Sequence, residues 1–120
     1  MLIIKLDKDD SVLLLEPVDA LDKKDFQAVA ATIDPFIEQT GQLKGLLIHT
    51  ETFPFWDSFA AFVSHIKFVK DHHRKIRRVA LATDSRIGSL VESLANHFVK
   101  AEIRHFPFNE LQQARAWVTD

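Results

Sequence analysis

Apolar positions fall into short runs of strand length at the start of the chain and into helical spacing soon after. Residues 2–6 and 12–16 are such runs. Asp7, Lys8, Asp9, Asp10 and Ser11 between them carry turn chemistry, which predicts an antiparallel hairpin. Pro17 should end the second strand, because it has no N–H for a ladder. Phe26, Val29, Ala30, Ile33 and Ile37 then recur three and four residues apart and predict a helix over about 22–40. Asp22 is its expected N-cap, Asp25 suits the positive end of its dipole, and Gly41 is the expected stop. Pro35 falls inside that helix and predicts a kink or break.

The rest of the chain alternates. Strands are predicted at 44–50, 77–83 and 101–106, and a long helix at roughly 56–73. A further helix should be capped by Asp84 or Ser85, with Leu90, Val91, Leu94 and Ala95 inward. The last should start at Asn109, with Gln112 completing a capping box and Leu111, Ala114, Trp117 and Val118 forming its buried stripe. The order ββαβαβαβα predicts an α/β fold with a five-stranded mixed sheet and about four helices. Its later strands should be parallel, joined by right-handed crossovers.

At 120 residues the chain is expected to be a single domain over 1–120, large enough to bury a core. It has no cysteine, which excludes disulfides, thiolate catalysis and cysteine zinc sites. No apolar run approaches the roughly 18 residues of a membrane span, and the first residues lack the length and basic start of a signal peptide. A soluble, cytoplasmic protein is expected, at most peripheral at the inner membrane face.

The net charge of −2 conceals a strong polarity. Residues 65–78 hold six cations (Lys67, Lys70, Arg74, Lys75, Arg77 and Arg78) against Asp71 alone, a net +5; the other residues hold nine cations against sixteen acids, a net −7. An aromatic cluster over residues 53–68 overlaps the start of this one. Phe53, Phe55, Trp56, Phe59, Phe62 and Phe68 are six of the twelve aromatics in the chain. On a helix, Phe55 to Val69 would spread apolar groups over roughly 180°, wider than the stripe of about 100° that one sheet face covers. Three aromatics left outside the core would expose roughly 450–750 Å², above the usual largest patch of about 300–600 Å². A ligand, a second subunit or a bilayer is expected to cover the excess, unless this is simply a wide core helix. Aromatics beside Lys and Arg suit an anionic lipid surface, whereas a plain helix end would also accept Arg74 and Lys75. Thr50, Glu51, Thr83, Asp84 and Phe106 are expected near the carboxyl edge of the sheet, where parallel sheets bind ligands and where the 53–55 loop and the helix at roughly 56–73 would form a movable lid over an apolar pocket.

Other chemistry is poorly served. His72 and His73 are adjacent and diverge on a helix, His65 and His72 are seven apart, and no His-Glu-x-x-His pattern exists, so no metal site is expected. Ser58, Ser64, Ser85 and Ser89 lack a nucleophile-elbow context, and no glycine-rich phosphate loop is present. No enzyme activity and no cofactor are therefore expected. The −7 outside the basic cluster would repel nucleic acid.

Two stretches carry a family resemblance. One is His65, Ile66, Lys67, Phe68, Val69, Lys70, Asp71, His72 and His73 running on to Arg77–Asp84; the other is Ala101–Phe106 running on to Ala114, Arg115, Ala116 and Trp117. With the ββα opening, the chain resembles the SpoIIAA-like family, of STAS-type fold and similar in architecture to lipid-carrying CRAL-TRIO domains. The resemblance implies a regulatory fold in which antagonists are phosphorylated in an Asp-Ser-Ser-Gly-type turn. Here Asp57 and Ser58 fit its first half and Phe59 stands where the second serine would be.

The resulting expectation is a non-catalytic module that binds a small apolar or lipid-like molecule or docks on an anionic membrane. Phe53, Phe55, Trp56, Phe59, Phe62 and Phe68 would supply apolar contact, and Lys67, Lys70, Arg74, Lys75, Arg77 and Arg78 electrostatic attraction. The alternative is an antagonist-type protein-interaction module, regulated at Ser58 and homodimeric.

Overall fold

The computed structural model describes residues 1–18, 23–51, 76–84 and 102–120. Five strands form one sheet in the order β1-β2-β3-β4-β5: β1 (Leu2–Asp7), β2 (Val12–Pro17), β3 (Leu43–His49), β4 (Ile76–Ala82) and β5 (Glu102–Phe106). β1 runs antiparallel to β2 and every later pair is parallel, so the predicted mixed α/β sheet is present. Two helices are described, α1 (Lys23–Thr40) and α2 (Leu111–Thr119). The helices expected at 56–73 and from Asp84 or Ser85 onward lie outside the described residues.

Local chemistry sets the hairpin. Asp7 Oδ1 accepts the N–H groups of Asp9 and Asp10, both at 3.1 Å, and Ser11 takes a left-handed φ of 58° to close the turn. The Ser11 hydroxyl and carbonyl then accept the N–H groups of Lys44 and Gly45 at 3.0 and 3.1 Å, tying the turn to the start of β3.

Each face of the sheet has its own core. Leu13, Leu46 and Val79 lie in register, as do Leu15, Ile48 and Leu81. All six are buried with Val29, Ile33, Phe36 and Ile37 of α1. The opposite face carries Val12, Leu47, Ala80, Ala82 and Phe106, packed with Ala114 and Val118 of α2 and with half-buried Leu111 and Trp117. Small residues on β4 and β3 let α2 come close. A Cβ on Gly45 would stand 2.6 Å from Val118 Cβ and 2.8 Å from its Cγ2, so only glycine fits this position.

Two expectations need correction. The break expected as one outcome at Pro35 does not occur: helix α1 continues through it to Thr40. Pro35 gives no hydrogen bond to the Ala31 carbonyl, but both residues are exposed, so water can take that place. Ile33, Phe36 and Ile37 are buried around it, and burial at about 1.5–3 kcal/mol each outweighs a proline cost of about 3 kcal/mol. Gly41 stops the helix as expected, with φ 88° and its N–H on the Ile37 carbonyl at 2.7 Å. The capping box expected at Asn109 and Gln112 does not form. The Glu110 N–H closes a turn onto the Pro107 carbonyl at 3.0 Å, and the helix starts one residue later with Glu110 at its N-cap and no side-chain cap bond.

Candidate functional site

The carboxyl ends of the parallel strands are laced together by polar groups. Thr50 N–H donates to the Ala82 carbonyl at 3.1 Å, and Thr83 N–H to the Phe106 carbonyl at 2.9 Å. The Glu51 carbonyl accepts from the Asp84 N–H at 3.1 Å and from the buried Thr83 hydroxyl at 3.2 Å. Asp84 Oδ1 accepts the Phe108 N–H at 3.1 Å, and His105 Nε2 donates to the Thr83 carbonyl at 2.7 Å. Thr50, Glu51, Thr83, Asp84 and Phe106 thus meet at one edge. The order of the described strands has no reversal, so these strands open no switch-point crevice of their own. Segments 52–75 and 85–101 leave from Glu51 and Asp84, the two residues joined there.

His49 closes the same edge toward β2. Its ring stacks on Phe108 with centroids 4.3 Å apart and planes 4° from parallel. The Phe108 carbonyl can only accept, so His49 Nε2 carries the proton of that 3.1 Å bond, while Nδ1 faces Glu16 Oε2 at 3.1 Å. Glu16 also lies 3.9 Å from Lys5 Nζ. Glu16, His49, His105 and Phe108 were not singled out by sequence reasoning, since their pairings span up to 59 residues and leave no local signature.

Of the residues expected to bind a ligand, Arg77 and Arg78 are described, and both lie at the opposite end of β4. Arg77 Nη2 donates to the main-chain oxygens of Val118 at 3.2 Å and Asp120 at 2.6 Å. Arg78 Nη1 donates to the Trp117 carbonyl at 2.7 Å, and its guanidinium carbon lies 5.1 Å from the centre of the Trp117 ring. Together they satisfy carbonyls at the C-terminal turn of α2, where the dipole favours a cation. Each has a buried Nε with no hydrogen-bond partner among the described residues; that of Arg78 is 3.8 Å from Glu102 Oε2. Phe53, Phe55, Trp56, Ser58, Phe59, Phe62, Lys67, Phe68, Lys70, Arg74 and Lys75 lie outside the described residues.

A model of the SpoIIAA-like family matches residues 12–119. The chain belongs to the SpoIIAA-like family. Comparison with curated proteins found no match, and neither did comparison with solved structures. The SpoIIAA-like match covers β2 through α2, so both ends of the parallel sheet belong to it. It makes the chain a STAS-type module, a class that is generally regulatory and non-enzymatic and that commonly mediates protein interactions. Among the described residues of this SpoIIAA-like chain, no three His, Cys, Asp or Glu side chains are placed to hold a metal ion, and no helix is long and apolar enough to cross a membrane.

Proposed function

We propose that this SpoIIAA-like domain is a non-catalytic binding module for an apolar or lipid-like molecule, with its site at the carboxyl end of the parallel strands. The observation that supports this is the Glu51 carbonyl, held by Thr83 and Asp84 at the point where segment 52–75 departs. That segment carries half of the chain's aromatics. Phe53, Phe55, Trp56, Phe59, Phe62 and Phe68 supply the apolar contact. Lys67, Lys70, Arg74 and Lys75 attract an anionic headgroup or a ligand carboxylate, whereas Arg77 and Arg78 are engaged in holding α2. The polar lacing fixes the strand ends beside which the proposed site lies.

An environment-sensitive fatty-acyl probe tests the reading. The expected result is saturable, blue-shifted emission, lost in a folded Phe55→Ser/Phe59→Ser variant. Emission that never saturates, or that the variant leaves unchanged, contradicts it and leaves a protein partner regulated at Ser58 as the reading to pursue.

A further inference from the structure

The two edges of the sheet differ in character. β5 is five residues long, and Glu102, Arg104 and His105 on it are exposed, which suits an edge that resists pairing. β1 is different. Val18 N–H donates to the Met1 carbonyl at 3.0 Å, and the register pairs Ile3 with Glu16 and Lys5 with Leu14. The main-chain groups of the odd-numbered residues therefore turn inward to β2, and those of Leu2, Ile4 and Leu6 point out of the sheet. No hydrogen-bond partner for those outward groups occurs among the described residues. The large apolar side chains exposed among the described residues also gather here: Met1 (57%), Ile3 (37%) and Val18 (45%).

From this edge we infer that β1 pairs antiparallel with β1 of a second copy, about a twofold axis at Ile4, joining the five strands of each copy into one continuous sheet. The inference does not rest on the proposed ligand and uses none of the aromatic residues assigned to its contact. The register follows from the sequence. An axis at Ile4 sets Leu2 against Leu6 of the second copy, Ile4 against Ile4 and Leu6 against Leu2, giving about six main-chain hydrogen bonds. Leu2, Ile4 and Leu6 already pack against the α1 core, so the pairing extends that core across the axis. On the other face Ile3 stands opposite Lys5 of the second copy, where the lysine stem covers the exposed isoleucine. An axis at Ile3 leaves only two outward pairs, and an axis at Lys5 sets two like charges against each other. Lys5 thus disfavours the register centred on itself, while the number of outward pairs favours Ile4 over Ile3.

The chain has no cysteine, so cross-linking reads the register directly. Ile3→Cys and Lys5→Cys variants are oxidised separately and as a mixture. The expected result is a covalent dimer from the mixture and little from either alone, because directly opposed residues have Cα atoms about 4.5 Å apart and diagonal ones about 7–8 Å. In sedimentation the wild type should be dimeric. Ile3→Lys, a change at an exposed side chain, should weaken the dimer about tenfold, and adding Lys5→Glu should restore it. Far-UV circular dichroism checks that each variant keeps the wild-type fold. A wild type that stays monomeric throughout a concentration series overturns the inference. So does a dimer whose single-cysteine variants cross-link as well as the mixture does.

Discussion

The two ends of the parallel sheet are built from the same strands and do different work. At the amino end, cations meet helix carbonyls. Arg77 and Arg78 hold the last turn of α2, while Arg115 on that helix bonds Asp7 and Asp10 of the hairpin. Asp7, Val12, Gly45, Arg78 and Glu102 lie in one row across the sheet there, so helix, hairpin and three strands are fastened together. At the carboxyl end, roughly 20 Å away along β4, the polar groups bond mostly to main chain of neighbouring strand ends. They fix the points from which two long segments leave. One end fastens, and in the proposed reading the other presents. Charge density alone does not tell them apart, because the cationic cluster of the sequence runs into the fastening end.

This contrast can be broken at named positions. The largest effect is expected at the fastening end, where Gly45→Val drives a branched side chain into Val118. A loss of about 3 kcal/mol is expected, read as a lower urea midpoint with unchanged slope. A variant as stable as wild type would mean that α2 does not need its close approach to β3. Arg78→Ala removes the bond to Trp117 and the ring contact, for a loss of about 2 kcal/mol. The account also requires that ligand affinity in folded Arg78→Ala protein stay at the wild-type level.

At the presenting end the order reverses. Thr83→Val keeps the shape of a fully buried side chain and removes its bond to the Glu51 carbonyl, which retains the Asp84 N–H. Stability should fall by only about 1 kcal/mol, whereas probe affinity should change, because the departure point of segment 52–75 is no longer pinned. Unchanged affinity would detach the lacing from binding.

The smallest effect concerns acid. The Asp7 carboxyl is held below its ordinary value of 3.8, first by the N–H of Asp10. Partial burial opposes this, and Arg115 and the N–H of Asp9 add to the lowering. A depressed folded-state pKa means a contribution present above the unfolded value and lost as the pH falls through the folded one. Asp7→Asn should therefore cost stability at neutral pH and lessen its decline below about pH 4. Parallel acid-unfolding curves for the two proteins would contradict this.

The sheet and its α1 core were legible because short apolar runs and three-and-four spacing are local signals. Leu13, Leu15, Ile33 and Ile37 needed no distant information. A break at Pro35 does not occur because the cost of a helical proline depends on whether its face is exposed, which sequence spacing does not record. Arg77 and Arg78 looked like part of an open basic surface because the carbonyls that engage them come from Trp117, Val118 and Asp120, some forty residues on. His49 stood as an ordinary strand-end residue until Phe108 stacked on it. Of the candidate site, the meeting of Thr50, Glu51, Thr83, Asp84 and Phe106 was readable from strand ends alone, whereas the bonds that lace them together are products of the parallel register.

The most direct test of the division between the two ends is co-sedimentation with vesicles, anionic against neutral, at low and high salt. It compares wild type, Arg78→Ala and Phe55→Ser/Phe59→Ser, each first shown to be folded. The account predicts salt-sensitive binding to anionic vesicles by wild type and Arg78→Ala, and none by the double aromatic variant. Binding lost in Arg78→Ala but kept in the aromatic variant would contradict it, since the fastening end would then be the site.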